Sequence, residues 1–376
     1  MQQKNKNIAF VIVLCMIVGL IWYLEAHKPP RISGNAPDVI VSPQLTSNRD
    51  AVLNAKAQKY SKAKELVDPT GFINTDPFKL SDLVGKKVVL LDFWTYSCIN
   101  CQRTLPYLEA WYKKYKDQGL VIVGVHTPEF DFEKVYNNVL KATKELGVEY
   151  PVVLDSNQGT WSAYQNQYWP HEYLIDIDGY VVDDHIGEGG YADTEQKIKD
   201  ALKEREQVLG LPSTIDSSIT TPQNVIPMDT AGVQSPETYF GSARNEYLGN
   251  GTIEQGGEQT LTIPESIQSN SLYLGGTWNF QDQFAESAST ATTITYKYSA
   301  RNVYFVASSE KGVKIRVLLD GASLGGEAGK DVSPDGTAFI EENRLYELVH
   351  GTNYGEHTLQ IQVEGAGLDA YTFTFG

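Results

Sequence analysis

Residues 86–94 read KKVVLLDFW, an apolar run of strand length without the alternation of a strand that has one wet face. Such a strand needs cover on both faces, which means helices above and below an inner sheet. The neighbouring sequence supplies them. TLPYLEAWYKKYKDQG has helical spacing and stops at Gly119, and LVIVGVHT is the next strand. FEKVYNNVLKATKELG reads as a helix closed by Gly147, and YPVVLD, EYLIDIDG and YVVDDHIG read as three further strands. TEQKIKDALKEREQVL is a final helix with Thr194 as its expected cap. The order β-α-β-α-β-β-β-α over residues 66–209 predicts an α/β domain, a mixed central sheet with flanking helices.

At Gly210 the pattern changes. Residues 210–234 are rich in Pro, Ser and Thr and read as a linker. Beyond them helical periodicity ends. TLTIP, SLYLGGTWNF, ATTITYKYSA, NVYFVAS, VKIRVLLDG, HTLQIQVEG and AYTFTFG are short strands with Gly or Asp turns. They predict a separate all-β sandwich or jelly roll over residues 235–376.

The N-terminus bears on the compartment. Residues 8–24, IAFVIVLCMIVGLIWYL, carry no charge. Lys4 and Lys6 precede this run, and Trp22 and Tyr23 end it as interfacial aromatics would. We expect a cytoplasmic tip over 1–7, a single transmembrane helix over 8–24 and a stalk over 25–65, with the bulk of the chain outside the cell membrane. The stalk begins with the stiff HKPPR segment and ends in AVLNAKAQKYSKAKEL, an Ala/Lys-rich helix. A cleaved signal peptide is the competing reading, but Leu24-Glu25-Ala26 fits a cleavage site poorly and Gly34-Asn35-Ala36 lies far downstream. Cys15 falls inside the apolar run and reads as a buried membrane-helix cysteine. The formal net charge of −16 repels phosphates and excludes nucleic acid as a partner.

The chemistry sits in Asp92-Phe93-Trp94-Thr95-Tyr96-Ser97-Cys98-Ile99-Asn100-Cys101, which runs from the end of the inner strand into the first turn of a helix. Cys98 falls near the helix start, where unpaired N–H groups favour a thiolate. Cys101, one turn later, can resolve a mixed disulfide. With only three cysteines in the chain, no second pair exists to complete a four-cysteine zinc site. No metal cluster or nucleotide loop is legible. The redox-active Cys98–Cys101 pair serves in place of a cofactor.

This segment resembles the active site of the thioredoxin superfamily. The resemblance implies that Asp92 is the buried proton acceptor, Trp94 the active-site tryptophan, Pro106 the proline of the redox helix and Pro170 the cis-proline facing the disulfide. Asp92 can also be read as a strand-end carboxylate with a purely structural hydrogen bond. His171 reads as a surface histidine. The long segment before Pro170 is similar to the TlpA/ResA and peroxiredoxin-like branch. Residues 67–376 resemble the thioredoxin-like part and C-terminal β-domain of DipZ-type proteins, in GVHTPEF, TWSAYQNQYWPHEYLID, SPETYFGSAR, LYLGGTWNF and the final YTFTFG. Such proteins begin with a multi-helix membrane domain, whereas one apolar segment stands here. The resemblance thus implies a thiol–disulfide oxidoreductase that reduces client disulfides and is recharged by a separate membrane electron carrier.

Two other functions compete. Thr95 and Cys98 satisfy the T-x-x-C part of a peroxiredoxin motif, but Leu91 stands where its proline is expected. The β-domain also resembles carbohydrate-binding modules in architecture, so a glycan or a protein is a candidate ligand for it. There Trp278, Tyr273, Tyr304 and Tyr346 form either a sugar-stacking platform or the core.

Overall fold

The apolar run folds as β2 (Val88–Trp94), buried along its whole length, in the computed structural model, which describes residues 43–227 and 232–376. The tip 1–7, the apolar segment 8–24, Cys15 and the stalk up to residue 42 lie outside the described residues. Among the described residues no helix is long and apolar enough to cross a membrane, a statement about helices alone.

Residues 56–376 form one compact unit. Helix α1 (Pro43–Lys59) ends in it. There β1 (Gly71–Ile73), β2, β3 (Leu120–His126), β4 (Val152–Leu154), β5 (His171–Ile175) and β6 (Val181–Ile186) form one sheet in the order β1-β4-β3-β2-β5-β6. Strand β2 is central, parallel to β3 and antiparallel to β5, so the sheet is mixed. Helices α2 (Ile99–Tyr115), α3 (Tyr136–Glu145), α4 (Gly159–Ala163) and α5 (Tyr191–Leu209) complete the domain. The alternation along β2 sorts its side chains. Val88, Leu90 and Trp94 enter one core with Leu105, Leu108 and Trp111 of α2, while Val89, Leu91 and Phe93 enter the other.

Two elements differ from the sequence reading. Helix α5 starts at Tyr191 behind Gly190, whose φ of 62° suits glycine, so Thr194 is a buried helix residue and not the cap. The end of the expected stalk lies against the domain. Lys56 Nζ donates to Asp176 at 2.6 Å, Asp178 at 2.8 Å and Glu204 at 2.5 Å.

The C-terminal part is all-β, as expected, but it is not a sandwich of two separate sheets. Its strands are β7 (Thr238–Tyr239), β8 (Gly257–Leu261), β9 (Leu272–Phe280), β10 (Ala285–Ser287), β11 (Ala291–Ser308), β12 (Val313–Leu319), β13 (Ala322–Ser323), β14 (Thr337–Ile340), β15 (Arg344–Glu364) and β16 (Asp369–Phe375). All are hydrogen-bonded into one sheet. The pairs β9–β10, β10–β16, β16–β11 and β11–β9 close a small ring, and β15 and β12 extend from it. The reason lies in β11. ATTITYKYSA and NVYFVAS are one strand, bent by an irregularity between Ala300 and Asn302. A bent strand reaches partners that two flat sheets would share out. Trp278, Tyr273, Tyr304 and Tyr346 are all buried, so they fill space and do not form a sugar-stacking platform.

Both parts contribute to one apolar cluster. Tyr304, Val306, Leu345 and Tyr371 of the β-domain pack with Phe130, Phe132 and the face of α2. Tyr371 meets Phe130 and Phe132 edge-on at ring distances of 5.0 and 4.9 Å. Arg103 of α2 reaches Glu188 at 3.0 Å and Tyr304 Oη at 3.4 Å. Val306→Ala removes buried methyls from this seam. We expect a loss of about 2 kcal/mol in urea unfolding, and a loss below about 0.5 kcal/mol would show that the seam adds nothing to stability.

Candidate active site

Strand β2 ends at Trp94, the chain turns through Thr95-Tyr96-Ser97, and α2 begins at Ile99. Cys98 is its N-cap residue, with φ −83° and ψ 119°, and its Sγ accepts the Cys101 N–H at 3.4 Å. The two cysteines therefore stand one helical turn apart by construction. Both are free thiols, Cys98 half-buried and Cys101 1% exposed. Burial pushes the Cys101 thiol well up, helped by the neighbouring Cys98 and Asp92.

The turn is held from outside the helix. Ser97 Oγ donates to buried Glu133 at 2.6 Å, and Glu133 also accepts the N–H groups of Glu129 and Phe130 at 2.7 and 2.9 Å. The Tyr96 N–H donates to His126 Nε2 at 3.3 Å. Burial depresses His126 to about 3, which keeps the ring neutral and able to accept. Trp94 packs edge-on against the same ring at 5.1 Å and is fully buried. Gly124 makes room for it, since a Cβ there would lie 2.7 Å from Trp94 Nε1.

Asp92 points to the same side of β2 as Trp94, toward α2, and is 1% exposed. Burial lifts its carboxyl to about 8, and its Oδ1 has no hydrogen-bond partner. Directly across the sheet, in register with Asp92, stands Glu172 of β5, also buried. Pro170 follows a cis Trp169–Pro170 peptide and is buried. Trp169 Nε1 donates to Thr127 O at 3.1 Å. His171 is buried, not on the surface, because β5 turns it inward against Asn166 and Tyr173. Pro106 lies inside α2 and interrupts neither end of it.

Cys98 opens into a cleft of about 350 Å³. One wall is Ser97, Asn100 and the 167–169 loop, and the other is Glu237, Tyr239, Arg244, Val306 and Thr374 of the β-domain. A charged bridge crosses it, with Glu129 Oε1 accepting from Arg244 at 2.8 Å and from Tyr239 Oη at 2.8 Å. The Arg244 guanidinium lies over the Tyr239 ring at 3.7 Å. Nothing in the sequence links Arg244 to Cys98, because more than a hundred residues separate them. Glu172 left a fainter signal, an acid just ahead of the apolar Tyr173, Leu174 and Ile175 of its strand.

Among the described residues one acidic group has the spacing of a metal site, namely Asp176, Asp178 and Glu204. The Lys56 ammonium occupies its centre. It is thus a structural clamp between the end of α1 and the domain.

Comparison with known proteins gives two family matches, the AhpC/TSA family over residues 61–183 and the thioredoxin like C-terminal domain over 235–376. Protein DipZ of Mycobacterium tuberculosis is 38% identical over 336 residues, covering 89% of this chain and 45% of its own. The chain thus spans less than half of that relative. The thiol-disulfide oxidoreductase ResA of Bacillus anthracis is 32% identical over 135 residues, covering 34% of this chain and 73% of its own. Among solved structures, a thioredoxin-like protein in the oxidised form is 26% identical over 39% of this chain and 97% of its own, with a TM-score of 0.36.

Proposed function

Because the chain belongs to the thiol–disulfide oxidoreductases of the thioredoxin superfamily, with relatives of the ResA and DipZ type, we propose that it reduces disulfides of client proteins outside the cell membrane. The observation that carries this reading is the asymmetry of the pair. Cys98 is open to the cleft of about 350 Å³, and Cys101 is closed off behind it. Cys98 is the attacking sulfur and Cys101 the resolving one. Asp92 takes the Cys101 proton, Trp94 packs the base of the turn, and Pro170, behind its cis peptide, ends the loop that lines the cleft. The client enters between the 167–169 loop and the β-domain. The apolar segment 8–24 anchors the chain, and a separate membrane electron carrier returns electrons to the pair.

The direction follows from the intervening residues. Ile99 and Asn100 bring no cation to the sulfurs, as a strong oxidant needs to stabilise its reduced form. We expect a potential nearer thioredoxin's, about −270 mV, than a strong oxidant's, about −120 mV. Equilibration with glutathione buffers measures it, and a value above about −150 mV turns the reading into disulfide formation. The AhpC/TSA match keeps a thiol peroxidase in view. Rapid peroxide consumption by the reduced chain, with little exchange on peptide disulfides, would favour that activity instead.

A further inference from the structure

The two carboxyls behind the pair are unusual in their company. Asp92 and Glu172 are direct partners across the antiparallel β2–β5 ladder. Residues so paired emerge on one face with Cβ atoms about 5 Å apart. They are 1% and 3% exposed, and Asp92 Oδ1 and Glu172 Oε2 lack any hydrogen-bond partner. The face they share is the one that receives Cys101.

Among the described residues no lysine or arginine acts on either carboxyl, while His185 of β6 stands in register with Glu172 on the same face, its Nε2 buried and without a hydrogen-bond partner. Cys101 comes from α2 and Tyr150 from the segment before β4, and the field of each carboxylate reaches the Tyr150 hydroxyl. Asp183 of β6 adds a further negative charge and is itself paired with Lys197 at 2.5 Å. From α5, Tyr191 feels Glu172, while Lys199 donates to the Ser217 and Ser218 carbonyls. Two carboxyls so placed cannot both ionise cheaply, because the charge left by the first opposes the second.

We propose that Asp92 and Glu172 work as one proton-sharing pair that accepts and returns the Cys101 proton. This rests on the exchange role given to Cys98 and Cys101 above. Cys98 thiolate attacks the client disulfide, forms a bond to one client sulfur and expels the other as a thiolate. Cys101 S–H then passes its proton to the carboxyl pair. The Cys101 thiolate attacks Cys98 Sγ and displaces the remaining client thiolate. The client gains two electrons and the enzyme pair becomes a disulfide. When a dithiol donor reduces that disulfide, the stored proton returns to Cys101. Glu172 tunes this transfer as a positioning residue acting through Asp92. By opposing Asp92's ionisation it makes Asp92 a strong enough base to meet a buried thiol.

The test is the pH profile of the resolving step, followed in single turnovers of the full chain with a peptide disulfide. Glu172→Gln removes the neighbouring charge, so Asp92 ionises more easily. The profile should move to lower pH by about one unit or more, with a several-fold lower plateau. Glu172→Asp should keep the wild-type profile. Exchange that persists in Glu172→Gln with an unmoved profile overturns the pair. Absence of exchange in the wild type overturns instead the function proposed above. A second readout serves if the variant does not fold. Infrared spectra of the wild-type reduced chain should show a protonated carboxyl at pH 7 that changes on oxidation, and its absence also overturns the pair.

Discussion

Cys98→Ser should lose thiol–disulfide exchange by about a thousandfold or more, because no other described sulfur reaches the cleft. Cys101→Ser should keep the first attack and accumulate Cys98 mixed disulfides, which a non-reducing gel shows directly. The same asymmetry predicts that iodoacetamide at mildly acidic pH modifies Cys98 first, since Cys101 is 1% exposed. Modification of Cys101 first, or exchange surviving in Cys98→Ser, would reverse the roles.

The second large effect is on stability. Burial raises the Asp92 carboxyl from the ordinary 3.8 to about 8. The folded chain then holds a proton that the unfolded chain releases between those values. Its stability is therefore greatest below the lower value and falls as pH rises through the window. Between pH 5 and pH 8 this one group withdraws about 4 kcal/mol. Asp92→Asn cannot ionise, so it should gain on wild type by about that amount over the same range. Urea unfolding of the reduced proteins at both pH values measures it. A wild type whose stability holds level with the variant's from pH 5 to pH 8 would mean that Asp92 is not buried as described. The two results belong together on the role proposed for Asp92, since the acid proposed to serve Cys101 would weaken the fold that holds it.

Much of this was legible in the sequence where the signal is local. The unbroken apolar character of β2 already required helices on both faces, and the helical spacing of TLPYLEAWYKKYKDQG after it placed Cys98 and Cys101 at a helix start. The long-range features were not legible. The β11 bend turns two expected strands into one and a sandwich into a continuous sheet, and no local pattern separates a bend from a turn at Ala300–Asn302. His171 sits beside Pro170 in a segment rich in polar residues, yet β5 carries it inward. Thr194 has the chemistry of a cap, but Gly190 adopts the left-handed conformation that starts the helix earlier. The second wall of the cleft comes from Glu237, Tyr239 and Arg244, and only the docking of the two parts brings them to Cys98.

The ring of the β-domain has a consequence for synthesis. Strands β9, β10 and β11 leave the ribosome first, but β16, which joins β10 to β11, comes after every other strand of the ring. Contacts of such long sequence separation form slowly. The redox sheet, closed by residue 186, can assemble while the ring still waits. Tyr371 lies on that same late strand and seats against Phe130 and Phe132. The turn that carries Cys98 and Cys101 can thus form before the strand that brings Thr374 to the cleft wall.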